Sequence, residues 1–164
     1  MRPLTAALLI AIGSAGCVRP AANLVPLTAE HAAAIEDSAR VFLAEFTRLS
    51  AAAQRDSLGA LYSDRSDFRF LESGEVRYAS ASAIRAALTS VPAGTRIRTE
   101  YTDAMVQPLA PGLANVSARF ATQFVDSTGA GFGFGGAISF ILQHEPAGWR
   151  IVSGHSSAPV PRGR

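Results

Sequence analysis

The chain has no lysine, and all fifteen of its basic residues are arginine. That removes Schiff-base chemistry, a lysine general base and a phosphate-cradling P-loop lysine. Cysteine is nearly as scarce, with Cys17 standing alone. One cysteine excludes an internal disulfide and a cysteine-rich zinc site. Charge is thin, at 17% of residues and a net +2. The arginines between Arg40 and Arg150 are scattered, with no basic stripe and no interleaved aromatics, so nucleic acid is not an expected partner. His31, His144 and His155 fall in separate segments without H-x-H or H-x-x-x-H spacing, so neither a metal nor another cofactor is expected. The Gly-x-Ser-x-Gly elbow of a serine hydrolase is also missing.

What is present begins with a leader. Arg2 gives a positive start, Leu4 to Ile12 is an apolar run of nine residues, and Ser14-Ala15-Gly16 are small. This is the order of a secretory signal, and the run is too short for a stable membrane span. Residues 1–16 therefore read as a signal peptide. Cys17 follows directly, and the segment resembles a lipobox, except that Ser14 stands where a large aliphatic residue is usual. Lipidation at Cys17 would anchor the chain to a membrane, since each buried methylene contributes about 0.8 kcal/mol. Val18, rather than aspartate, favours the outer membrane facing the periplasm in a Gram-negative host. The alternative is ordinary cleavage and secretion with a free thiol. Residues 17–27, with Pro20 and Pro26, read as a tether.

Thr28 can cap a helix, with Glu30 in its first turn. Ile35, Ala39, Phe42, Phe46, Leu49 and Ala53 recur at steps of 4, 3, 4, 3 and 4, one face of a long helix over 28–53. A short helix is expected over 55–62, a hairpin around Ser73-Gly74, and a third helix capped by Ser80 or Ser82 and stopped by Pro92 and Gly94. Alternation then predicts strands over 96–106, 114–125, 132–144 and 149–156, with turns at 108–112, 127–131 and 145–148. The residues from 159 to 164 read as a frayed tail. Helices followed by a meander make an α+β layer fold in one domain over 28–158.

This order of elements resembles the nuclear-transport-factor-2-like superfamily and, within it, the SnoaL-like group. The most specific part is the ending Gly148-Trp149-Arg150-Ile151-Val152-Ser153-Gly154-His155-Ser156-Ser157, which looks like that group's final strand. The resemblance implies a cone-shaped, strongly bent antiparallel sheet. A long N-terminal helix and two short ones would lie on its concave side around a pocket. It also implies a homodimer through the outer sheet face. Members range from isomerases, dehydratases and cyclases to noncatalytic modules, so the fold fixes no reaction.

Tyr62, Tyr78, Tyr101, Trp149 and His155 are the candidate pocket residues. Simple alternation puts Trp149, Ile151, Ser153 and His155 on one side of the last strand. Facing a pocket, His155 could act as acid or base; it could equally lock the strand as a structural histidine. Tyr101 and Asp103 share a strand face, where a carboxylate base and a tyrosine donor would suit proton transfer; the pair could also be a solvated face. Asp64 is a further polar candidate, or simply the start of a turn. Gly131-Phe132-Gly133-Phe134-Gly135-Gly136 matches G-x-G-x-x-G but leads into a strand, so a dinucleotide site is rejected. Its glycines fit a bend or close chain approach. The favoured expectation is a membrane-anchored, noncatalytic pocket domain for a small apolar ligand or a protein partner. The alternative is a small isomerase, dehydratase or cyclase using His155, with Tyr101 or Asp103 assisting.

Overall fold

The computed structural model describes residues 26–159. The leader, Cys17, most of the tether and the last five residues lie outside them. The first helix, α1 (Ala29–Ala51), starts where Thr28 accepts a hydrogen bond from the His31 amide at 3.2 Å. Its buried face is Ile35, Ala39, Phe42, Leu43, Phe46 and Leu49. Its outer face carries the Glu36–Arg40 pair at 2.6 Å, one helical turn apart. The predicted stripe overran the helix at Ala53, which is exposed and has φ of +53°. The second helix, α2 (Arg55–Gly59), also stops earlier than predicted. Residues 61–63 instead run beside the last strand: Ile151 N donates to Leu61 O and Ser63 N to Ile151 O, both at 2.9 Å. This pairing fixes Tyr62 on the inner side of the sheet.

The hairpin forms as β1 (Arg69–Glu72) and β2 (Glu75–Tyr78), and α3 (Ala81–Ser90) is capped by Ser80. Four longer strands follow: β3 (Arg96–Ala110), β4 (Leu113–Val125), β5 (Gly131–Glu145) and β6 (Gly148–Ser157). They join one six-stranded sheet in the order β2-β1-β6-β5-β4-β3. All neighbours are antiparallel except β1 and β6, which run parallel. The predicted turn at Pro108 is not one. Pro108 lies within β3, where an edge strand tolerates a missing N–H, and the turn is confined to Pro111-Gly112.

Two irregularities decide which side chains point inward. In β3 the register slips between Thr102 and Met105, and Asp103 takes φ of +53°. In β6 it slips opposite Ile141 and Leu142, leaving Val152 as the extra residue. Each bulge reverses the alternation beyond it. The core lies between α1 and the concave sheet face, centred on Phe46, Phe68, Val116, Phe140, Leu142 and Ile151. The residues from Gly131 to Gly136 serve close approach. A methyl on Gly136 would run into the Ser157 carbonyl oxygen, and one on Gly131 into that of Phe124.

Candidate functional site

A cavity of about 370 Å³ opens between the helices and the concave sheet face. Phe46, Phe70 and Phe140 form its inner wall, with ring centroids 5.8 Å apart for Phe46–Phe140 and 6.4 Å for Phe70–Phe140. Phe120, Phe124 and Phe134 line the outer part. Phe134 stands edge-on to Phe120 at 5.8 Å and stacks on Phe124 at 6.0 Å. Phe132 extends this stack from Phe124 at 5.0 Å and is 66% exposed, so these rings form an aromatic rim.

Few polar groups interrupt the wall. Thr99 and Thr122 face each other across β3 and β4, and their hydroxyls bond at 2.9 Å. Tyr62, Tyr78 and Tyr101 all line the cavity. Tyr62 stands edge-on to Phe46 at 6.1 Å, and Tyr101 lies 6.2 Å from the same ring. Burial pushes the Tyr62 phenol well above its ordinary pKa, helped by the neighbouring Tyr101, Tyr78 and Glu72. Burial does the same to Tyr101. Both are therefore neutral hydrogen-bond donors at physiological pH, not bases. Among the described residues, Glu72 is the one acidic side chain lining the cavity, and no arginine or histidine lines it.

The other predicted site residues lie elsewhere. His155 is exposed on the outer sheet face, because the β6 bulge hands the inner positions to Gly154 and Ser156. The expectation that it shares a face with Ile151 is thereby corrected. Asp103 is exposed at its own bulge, so it does not share the inner face of Tyr101. Trp149 is inward but at the far end of β6. It lines a separate groove of about 540 Å³ with Pro26, Leu27, His31 and His144. Its indole N–H donates to Ser38 Oγ at 3.1 Å, and the His144 ring stands edge-on to it at 5.4 Å. Asp64 is exposed and pairs with Arg85. Among the described residues, no three histidine, cysteine or carboxylate side chains gather as a metal site. Glu72 is the residue that sequence reading missed. Its parity with Phe70 in a short strand was the available signal.

A curved sheet with a long helix and short ones across its concave face defines the cone fold of the nuclear-transport-factor-2-like proteins, and solved structures agree. A superfamily protein from Salmonella enterica matches with a TM-score of 0.64 and 18% identity, over 80% of this chain and 95% of that one. A nuclear-transport-factor-2-like protein with a cystatin-like fold from Novosphingobium aromaticivorans matches at 0.61 and 16%, over 80% and 85%. The β subunit of benzoate 1,2-dioxygenase from Burkholderia mallei matches at 0.60 and 14%, over 73% and 87%. At these identities the likeness is one of fold. Comparison with curated proteins finds no significant match. The sequence profile of the SnoaL-like domain matches residues 40–161, and the chain belongs to that family.

Proposed function

We propose that this chain is a noncatalytic receptor domain for a small, mainly apolar molecule, held at a membrane through a lipid on Cys17. The observation that carries the reading is the cavity wall itself: nine aromatic side chains, three of them tyrosines, around one carboxylate. Such a surface gains free energy by covering apolar area, at about 25 cal/mol per Å², while a few donors orient the ligand. Proton-transfer catalysis finds less support. His155 and Asp103 lie outside the cavity, and the buried phenols hold their protons too tightly to act as bases near pH 7. Pairing of two copies through the outer sheet face belongs to the same proposal; Met105, 70% exposed, lies there. A monomer by analytical ultracentrifugation at micromolar concentration would remove that part.

The test uses 2-naphthol as a neutral aromatic probe in isothermal titration calorimetry. Ala87, on α3, lines the cavity and is partly buried. Ala87→Phe fills the space with a ring and is expected to abolish binding in a variant that still melts cooperatively. Equal binding by the plugged variant would place the probe elsewhere and overturn the reading.

A further inference from the structure

The ionisable lining of the cavity is one-sided. The chain has more basic than acidic residues, 15 against 13, yet among the described residues only Glu72 contributes charge to the wall. Glu72 ends β1 opposite Ser156 of β6, and both residues line the cavity. Its carboxylate is loosely held. Arg77 Nε lies 3.6 Å away, an ion pair beyond ordinary hydrogen-bond length, and both side chains are substantially exposed at 43% and 65%. Such a pair contributes little to stability and competes weakly with a ligand.

The rings beside Glu72 add a second, independent preference. Aromatic faces carry the negative end of a quadrupole and attract cations within about 6 Å. Tyr78 already holds one, since the Arg77 guanidinium carbon sits 5.7 Å from its ring centre. Phe70 lies 6.3 Å from Tyr78, and Tyr62 lines the same cavity as Glu72. An anionic ligand would meet Glu72 offset only by the loosely paired Arg77, which is not among the described residues lining the wall. A neutral ligand would leave the carboxylate unused. A cation gains both the carboxylate and the ring faces, while its apolar body covers Phe46 and Phe140.

We infer that the cavity takes an organic cation: an ammonium or quaternary ammonium group at Glu72 beside Tyr62 and Tyr78, on an aromatic or alkyl body. This rests on the receptor reading and specifies its ligand class. The test compares three probes of nearly one shape by calorimetry with the full chain. They are (4-hydroxyphenyl)trimethylammonium, its neutral carbon isostere 4-tert-butylphenol, and the anion 4-tert-butylbenzoate. The cation is expected to bind about tenfold more tightly than the phenol, and the benzoate most weakly. Glu72→Gln is expected to remove most of the cation's advantage and leave the phenol's affinity unchanged. Arg77→Ala, which frees the carboxylate, is expected to strengthen cation binding. Equal affinities for cation and phenol, or a ratio insensitive to Glu72→Gln, would overturn the inference. In that case, phenol binding that is blocked by Ala87→Phe would leave the receptor reading standing. If none of the three probes binds, both readings fall.

Discussion

At the scale of single residues, burial sets the chemistry of the two inner phenols. The folded-state pKa values of Tyr62 and Tyr101 are raised above the unfolded value of about 10. A raised folded value means that the native state holds its proton more tightly than the unfolded chain does. The associated stability is therefore fully present below about pH 10 and is lost as pH rises beyond it. Tyrosinate absorbance from these two residues is expected only as circular dichroism reports unfolding. Complete ionisation of all three tyrosines in a chain with an intact spectrum would contradict this. Gly154 shows the steric counterpart. A methyl there would meet the Phe70 ring at 2.5 Å, with Phe140 at 3.3 Å behind it. Gly154→Ala is expected to lower stability by about 1–3 kcal/mol in urea denaturation. These demands were not legible beforehand, because the neighbours come from β1 and β5, far away in sequence. The tyrosines could be named from residue type alone. Glu72 was passed over because its hairpin context made it look like a turn residue, although its parity with Phe70 pointed inward.

At the scale of elements, the helices were the most legible because their information is local. Thr28, Glu30 and the 3–4 spacing from Ile35 to Leu49 specify the start and the buried face of α1 within its own segment. Thr28→Ala is expected to cost about 1 kcal/mol, read as a lowered melting temperature with the spectrum unchanged. An unchanged melting temperature would show that packing alone holds that end. Strand positions were also legible, apart from the stretch around Pro108, but side-chain direction was not. Alternation assumes an uninterrupted pleat, and one extra residue in β3 and another in β6 reverse it. Asp103 is a type that tolerates a positive φ, a faint local hint of the first bulge. The second, at Val152, leaves no comparable sign in the sequence and shows only in the pairing of β6 with β5. That single residue moves His155 from the cavity to the outer surface.

At the scale of the whole molecule, the proposed anchor and the cavity belong to different parts of the chain. No described helix is long and apolar enough to cross a membrane, and the proposed attachment is the lipid on Cys17. Cys17→Ala is expected to move the protein from the membrane fraction to the soluble one. Unchanged partitioning, with no acyl mass on the natural chain, would remove the anchor from the proposal. The two ends of β6 give that anchor a direction. Pro26 and Leu27, where the tether meets the fold, line the groove at Trp149, whereas Glu72 and the cavity lie beside Ser156. Seven residue steps lead from Trp149 to Ser156, at most about 23 Å at 3.3 Å per step. In the proposed anchored form, attachment enters at the Trp149 end, away from the end of β6 that carries the cavity. That arrangement would leave the cavity open to solutes arriving through water, as a mooring post faces the current and not the bank.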